Sequence, residues 1–203
     1  MFEKNYNSTI FLKSIFNIKK DKYNHGSEVA FVGYSNSGKS TAINILTNQR
    51  KLARVSRIPG RTQSINVFQI IPGVRLIDFP GYGYSKVPLS IKLNLKNMIF
   101  QYLRVQKCLR GLIMLVDVRR SIRVFDKIII NLAKSYHIPV LILLNKVDKV
   151  IFSERQKRLK VIRQEELILL NHIKVELFSS LKKIGLNDLK CQLNSWIFDK
   201  AKK

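Results

Sequence analysis

Eight consecutive residues form a pattern that is typical of phosphate binding. They satisfy GxxxxGK[ST] and are Gly33, Tyr34, Ser35, Asn36, Ser37, Gly38, Lys39 and Ser40. An apolar run precedes them and a stretch with helical spacing follows, so backbone N–H groups and a helix N-terminus would face the phosphates. We expect Lys39 at the β- and γ-phosphates and the Ser40 hydroxyl on Mg²⁺. The motif predicts a nucleoside triphosphate without choosing its base, since kinases and ATPases carry it too.

A second motif favours guanine as the base. The apolar run from Val140 to Leu144 leads into Asn145, Lys146, Val147 and Asp148, an NKxD at the end of a predicted strand, where open α/β sheets bind ligands. The Asp148 carboxylate can accept from N1–H and the N2 amine of guanine. Adenine offers neither donor, and sites of this kind discriminate by about 10⁴–10⁵. We expect Lys146 to cover one face of the base and Asn145 to tie this loop to the phosphate loop.

A third segment follows the last predicted strand and would complete the base site. It comprises Phe178, Ser179, Ser180, Leu181 and Lys182. It looks like the fifth element of GTPases, with backbone N–H groups toward guanine O6 and Lys182 near the other face of the base. By itself such a run is more often an ordinary loop, so it counts only together with the other motifs.

Two further segments have the composition of nucleotide switches. Asp78, Phe79, Pro80 and Gly81 form a DxxG, in which Asp78 would hold Mg²⁺ through a water and the Gly81 N–H would sense the γ-phosphate. Switch I is assigned to the segment after Pro59, with Thr62 completing the magnesium shell; its residues are Gly60, Arg61, Thr62, Gln63 and Ser64. Both loops would order on GTP and relax after hydrolysis, and Lys39, Thr62 and Gly81 are the catalytic candidates.

Two positions bear on the rate of hydrolysis. Tyr82 follows the DxxG, where many GTPases have a glutamine that orients the attacking water, so we expect slow turnover without stimulation. Asn36 occupies the position at which potassium-stimulated GTPases carry an asparagine that helps to bind K⁺. The alternative is that Asn36 only shapes the loop.

Alternating apolar runs and helical stretches predict the fold. Strands are expected at Val29–Val32, 67–71, 74–79, 112–116, 140–144 and 175–178, and helices from Lys39 and at about 91–107, 122–136, 153–171 and 186–200. This order predicts a P-loop NTPase domain, with a mostly parallel mixed sheet, one antiparallel strand and helices on both faces. Residues 1–27 are polar, basic and aperiodic and are interpreted as an N-terminal extension of a single domain at 28–203.

The charge balance favours an anionic partner. Lys and Arg number 37 against 13 Asp and Glu, a formal net charge of +24, although codon bias in an AT-rich genome would also inflate lysine. Arginine and lysine cluster at Arg54, Arg57, Arg61, Arg119, Arg120, Arg123, Arg155, Lys157, Arg158 and Lys160; individually each cluster is more typical of a solvated face. Two isolated cysteines and the absence of a long apolar run indicate a cytoplasmic protein.

With these five elements, the chain resembles the EngB-type (YihA/YsxC) bacterial GTPases, within the TrmE-Era-EngA-EngB-Septin-like superfamily. The most specific matches are PGRTQ at 59–63 and DFPGYGY at 78–84, and the resemblance covers about residue 28 to the C-terminus. It departs at Tyr34, where the family usually has arginine, and at Asn145, where members often have threonine. The first departure puts in doubt any contact that the arginine would make.

The resemblance implies a Ras-like G domain that binds GTP or GDP with Mg²⁺. It also implies a role in large ribosomal subunit assembly and a link to cell division and septation. We therefore expect contacts with ribosomal RNA, mostly to phosphates and weakened by salt, without DNA sequence specificity or integral membrane association, and a monomer.

Two alternatives from other classes stay open at this point. A small-molecule kinase would share the phosphate loop but leave the NKxD unexplained. A guanine-nucleotide adaptor that does not hydrolyse GTP, held at a membrane by its charge, would explain both motifs, but the sequence has no amphipathic anchor or lipidation motif.

Overall fold

The computed structural model describes residues 6–18, 23–54, 64–83, 88–164 and 172–198. The strands are β1 (Ile10–Ile15), β2 (Ser27–Val32), β3 (Ile65–Ile71), β4 (Val74–Asp78), β5 (Leu109–Asp117), β6 (Val140–Asn145) and β7 (Ile173–Leu177). The helices are α1 (Lys39–Leu46), α2 (Leu89–Val105), α3 (Val124–Ser135), α4 (Phe152–Arg163) and α5 (Leu186–Phe198). Single 3-10 turns lie at Tyr6–Ser8 and Val147–Lys149.

All seven strands form one sheet in the order β1-β3-β4-β2-β5-β6-β7. β3 runs antiparallel to its neighbours β1 and β4, and every other pairing is parallel. The prediction of a mixed sheet with one antiparallel strand is therefore confirmed. Because β2, β5 and β6 run parallel at its centre, the phosphate loop and the NKxD both follow strand ends at the same edge.

Apolar cores cover both faces of the sheet. Successive residues of β2 point to opposite sides, so Ala30 joins the core under α2, α3 and α4, whereas Phe31 joins the core under α1 and α5. Gly111 of β5 lies beneath Trp196 of α5, where an added Cβ would come within 2.2 Å of the indole ring. The predicted helices on both faces are thus present.

The strand β1 was not predicted from the sequence. Ile10–Ile15 pairs with β3 at the edge of the sheet, inside the segment that was interpreted as an extension, with a register shift between Phe11 and Lys13. Its first three residues are exposed, so the segment lacks the alternation that marks a half-buried strand. Helix α4 also ends earlier than predicted, at Arg163, and residues 165–171 lie outside the described part of the chain.

A buried ion pair joins β2 to β4 at the end of the sheet opposite the two nucleotide motifs. The Arg75 guanidinium lies 2.8 Å from the Glu28 carboxylate, and the two side chains are 5% and 0% exposed. Tyr102 of α2 donates to the other Glu28 oxygen at 2.6 Å, and Arg75 lies 3.8 Å from the centre of the Tyr23 ring. Each charge is fully partnered, as burial requires.

Replacing Arg75 with methionine would leave the Glu28 carboxylate buried without its cation. We expect the free energy of unfolding to fall by about 3–5 kcal/mol. Arg158→Met is the matched control, because Arg158 pairs with Glu154 at 2.7 Å on the surface of α4, with side chains 43% and 34% exposed. An exposed pair contributes less than about 1 kcal/mol. Urea unfolding of both variants without nucleotide measures the difference, and equal losses would contradict the assignment.

Candidate functional site

The phosphate loop connects β2 to α1 in a conformation that depends on glycine. Gly38 caps α1 with a left-handed backbone, φ 102°, and a Cβ there would lie 2.2 Å from Nδ2 of Asn145. Asn36 is also left-handed, with φ 59°, a conformation that asparagine tolerates better than most residues. The turn from β2 into α1 therefore depends on residues that tolerate a left-handed backbone.

Lys39 is buried at the start of α1. Its ammonium donates to the carbonyl oxygens of Gly33 at 3.0 Å and Tyr34 at 3.5 Å. Burial lowers the pKa of this lysine, and the nearby Asp78 carboxylate acts in the opposite direction. The Lys39 ammonium is thus held against the loop by carbonyls that a phosphate can replace.

Asp78 ends β4, next to the end of β2, and faces α1. The Ser40 hydroxyl donates to Asp78 Oδ2 at 3.3 Å, whereas Asp78 Oδ1 is buried and has no hydrogen-bond partner among the described residues. Burial raises the pKa of Asp78 to about 6, against the lowering effects of Lys39 and Ser40. A carboxylate and a hydroxyl are oxygen ligands that suit Mg²⁺, directly or through water, so these two residues fit a magnesium site.

The DxxG loop lies against the phosphate loop. A Cβ on Gly81 would come 2.9 Å from Ser35 Cα and 3.1 Å from the Lys39 ammonium. The Ser35 N–H donates to the Tyr82 carbonyl at 2.8 Å. Phe79 points into the core against Tyr102, so that its side chain is turned away from the site. Pro80 is buried between Phe79 and Gly81.

Asn145 connects the NKxD to the phosphate loop, as the sequence predicted. Its side-chain amide donates to the Ser37 carbonyl at 2.7 Å, and its oxygen accepts the backbone N–H groups of Lys146 at 2.8 Å and Ser180 at 3.2 Å. The Lys146 ammonium donates to the Asn36 carbonyl at 2.6 Å. Three separate loops therefore meet on the Asn145 side chain.

Asp148 lies at the rim of an open pocket. Ser179 donates its hydroxyl to Asp148 Oδ1 at 2.6 Å, and this bond, with a smaller effect from Lys149, lowers the pKa of Asp148 and keeps it ionised. The pocket has a volume of about 710 Å³ and extends from Gly38, Asn145 and Ser180 to the end of α1. Val147 and Phe178 are fully buried in the apolar cores, so their side chains do not line this pocket.

Asp117 is a charged residue of this site that sequence analysis did not select. It ends β5 opposite Asn145, and its Oδ2 lies 2.7 Å from the Arg119 guanidinium and 3.0 Å from the Lys146 ammonium. Burial acts to raise the pKa of Asp117, but the hydrogen bonds from Arg119 and Lys146 outweigh it and hold that pKa well below its ordinary range. Its position at a strand end beside the NKxD was the signal that could have found it.

Part of the predicted site lies outside the described residues. Gly60, Arg61, Thr62 and Gln63 belong to that part, so Thr62 stays a predicted magnesium ligand. Ser64 is described and is buried immediately before β3. Among the described helices, none is both long and apolar enough to cross a bilayer.

Comparisons with known proteins place this geometry in a family. Residues 28–146 match the family described as 50S ribosome-binding GTPase. Probable GTP-binding protein EngB of Buchnera aphidicola subsp. Baizongia pistaciae is 58% identical over 196 residues, 97% of this chain and 86% of that protein. Its counterpart in Buchnera aphidicola subsp. Schizaphis graminum is 50% identical over 192 residues, 95% of this chain and 96% of that protein.

Solved structures show the same fold. A crystal structure of a probable GTP-binding protein engB has a TM-score of 0.67 at 22% identity and covers 84% of this chain and 98% of its own. Era, in complex with MgGDPNP and nucleotides 1506–1542 of 16S ribosomal RNA, has a TM-score of 0.65 at 23% identity and covers 86% of this chain and 58% of its own. At these identities the likeness concerns the fold alone.

The raised pKa of Asp78 predicts how stability depends on pH when nucleotide and Mg²⁺ are absent. Because the folded-state pKa of about 6 exceeds the ordinary value of 3.8, protonation of Asp78 favours the folded protein. This stabilisation is fully present at low pH and is lost as the pH rises through 6. Asp78→Asn removes this dependence. We expect the variant to be more stable than the parent at pH 8, by on the order of 2–3 kcal/mol, and the difference to shrink toward pH 4.

Urea unfolding between pH 4 and pH 8 measures this difference. Asp188→Asn, on the exposed first turn of α5, makes the same change of carboxylate to amide without burial and is the matched control. A constant difference between the Asp78 variant and the parent across this range would contradict the burial argument.

Proposed function

Since this chain belongs to the EngB family of GTP-binding proteins, we propose that it is a magnesium-dependent GTPase that acts as a switch in assembly of the large ribosomal subunit. The Asn145 side chain carries this proposal. It bonds the carbonyl of Ser37 in the phosphate loop and the N–H of Ser180 beside Asp148. A single molecule that binds both regions must have phosphates at one end and a guanine-type edge at the other.

The base end favours guanine by charge and by hydrogen bonding. Asp148 is ionised and offers acceptors only, with Oδ1 oriented by Ser179. Guanine presents two donors to such a carboxylate, and adenine presents an acceptor at N1. The Ser180 N–H already donates to Asn145, so it shapes the pocket, and we assign guanine O6 to other backbone N–H groups of this loop.

At the phosphate end, we assign the main catalytic effect to positive charges that are held in place beside the phosphates. Lys39 would exchange the carbonyls of Gly33 and Tyr34 for phosphate oxygens and neutralise charge that develops during phosphoryl transfer to water. Ser40 and Asp78, with the predicted ligand Thr62, would hold Mg²⁺, which supplies further charge neutralisation when it is bound. The Gly81 N–H would contact the γ-phosphate.

Slow intrinsic turnover follows from the position of Tyr82. Its ring is 3% exposed and its hydroxyl donates to Asp126 at 2.7 Å, so no side chain at this position orients the attacking water. We propose that K⁺ beside the phosphates, with Asn36 as one ligand, supplies part of the missing charge. The Asn36 carbonyl is held by Lys146 at 2.6 Å, and within the described residues no hydrogen bond occupies its side-chain amide.

We infer that the partner is the large ribosomal subunit or its precursors, contacted through ribosomal RNA. The net charge of +24 favours a polyanion, and the matched family is described as 50S ribosome-binding. Era, which shares this fold, was solved with a segment of 16S ribosomal RNA. We further propose a cytoplasmic monomer, consistent with two free cysteines, and a role in division and septation inferred from the family.

Asp148→Asn tests the base site. The amide presents an N–H₂ group toward donors of guanine, so we expect affinity for GDP to fall on the order of 100-fold or more, with selectivity over adenine nucleotides reduced. Calorimetric titration with GDP and ADP measures both effects. Asp188→Asn is the control. If ATP competes as well as GTP in the parent, guanine recognition is wrong and the small-molecule kinase becomes the better reading.

The rate of GTP hydrolysis tests the switch. We expect single-turnover hydrolysis to be slow alone, faster with large subunits or their precursors, and faster in K⁺ than in Na⁺. The affinity for subunits should fall by about 10³-fold between 50 and 200 mM salt if six phosphates are contacted, and stimulation at a fixed subunit concentration should fall with it. Equal rates in K⁺ and Na⁺ would eliminate the K⁺ site. Absence of any hydrolysis, with nucleotide bound, would favour an adaptor.

A further inference from the structure

Tyr82 connects the nucleotide loops to helix α3. The residue directly follows Gly81, and its side chain is turned inward, with its ring packed edge-on against Phe125 of α3 at 4.7 Å. Its hydroxyl donates to Asp126 Oδ1 at 2.7 Å, and both residues are almost completely buried. A tyrosine at this position is therefore anchored to another element and takes no part in orienting water.

Asp126 in turn holds the beginning of α3. Its Oδ2 accepts the backbone N–H of Arg123 at 3.1 Å, which caps the helix at its N-terminus. Burial raises the pKa of Asp126, and the hydrogen bonds from Tyr82 and Arg123 act against that rise. The same carboxylate thus binds the DxxG loop through one oxygen and the first turn of α3 through the other.

The phosphate loop also contacts Tyr82 and the residue before α3. The Tyr82 carbonyl accepts from the Ser35 N–H at 2.8 Å, and the rings of Tyr34 and Tyr82 are 4.8 Å apart. The Arg123 guanidinium lies 4.5 Å from the centre of the Tyr34 ring. Elsewhere a cleft of about 210 Å³ separates the phosphate loop from residues 119–126. Side-chain contacts rather than continuous packing therefore join these elements, and the cleft leaves room for movement.

We propose that Tyr82 is a positioning residue that transmits the presence of the γ-phosphate from Gly81 to residues 119–126, so that this arginine-bearing segment differs between the GTP-bound and GDP-bound protein. The inference rests on the proposed GTP binding and extends it to a surface segment whose conformation depends on the bound nucleotide. The segment carries Arg119, Arg120 and Arg123, and all three line the cleft beside the phosphate loop.

Gly81 is linked to α3 by a peptide bond to Tyr82 and by the hydrogen bond from Tyr82 to Asp126. Gly81 and Tyr82 share a peptide bond, so a shift of the Gly81 backbone toward a γ-phosphate displaces the tyrosine. A buried hydrogen bond to a carboxylate is costly to break without replacement, so Asp126 and the capped turn must follow. Close-packed interiors respond by moving between discrete arrangements. The coupling is reciprocal, so a partner that favours one arrangement of α3 also changes the preference between GTP and GDP.

Amide hydrogen exchange in residues 119–126 tests the proposal, with the full chain saturated first with GDP and then with a non-hydrolysable GTP analogue. We expect exchange in the parent to differ by about fivefold or more between the two nucleotides. Tyr82→Phe removes only the hydroxyl, and we expect the difference to fall to less than about twofold. Tyr136→Phe, at the half-exposed far end of α3, is the matched control and should keep the parent's difference.

Asp126→Asn weakens the same hydrogen bond from the other side and covers the case in which Tyr82→Phe does not fold. We expect it to reduce the difference as well. The proposal is overturned if either folded variant keeps the parent's difference, or if the parent shows none while binding both nucleotides. Failure of the parent to bind guanine nucleotides would instead refute the proposed function, and calorimetry on the same samples distinguishes the two results.

Discussion

The nucleotide site depends on the hydrogen bonds of one buried amide. Asn145 ends β6, the phosphate loop follows β2, and β5 lies between these strands. The amide donates across this distance to Ser37 and accepts from Ser180, and it is 1% exposed. A side chain with both a donor and an acceptor can make these bonds at once. Because Gly38 packs on the same amide, the loops at the two ends of the ligand cannot shift independently.

The charges of the site are arranged for a ligand that carries negative charge at one end. Lys39 and Asp78 are both buried, and burial lowers the pKa of the lysine and raises the pKa of the aspartate. Both shifts favour the neutral form of the side chain. Phosphate beside Lys39 and a divalent cation beside Asp78 would each stabilise the ionised form. At the base end Asp148 is already stabilised as a carboxylate by Ser179. The phosphate end therefore gains most of its electrostatic stabilisation from the ligand, whereas the base end is prepared in advance.

The sequence was sufficient for the elements whose signals are local. The strands with continuous apolar runs and the helix after Lys39 were predicted close to their observed positions. It was insufficient for β1, because an edge strand with exposed residues lacks alternation, and its pairing with β3 is set by tertiary contact. The hydrogen bond between Tyr82 and Asp126 was not predicted, for a related reason. The two residues are 44 positions apart, and only the fold brings the hydroxyl to the carboxylate.

The placement of acidic residues strengthens the case for an anionic partner beyond the net charge. Of the 13 acidic residues, Glu28, Asp78, Asp117 and Asp126 are buried, and Asp148 accepts a hydrogen bond from Ser179. Lys39 and Arg75 are buried too, so in the described part of the chain burial removes four negative charges from the surface and only two positive ones. Codon bias would inflate lysine without directing acids inward. Within single basic clusters some charges are already neutralised, because Arg119 is paired with Asp117 and Arg158 with Glu154. Attraction to a polyanion must therefore arise from the whole surface.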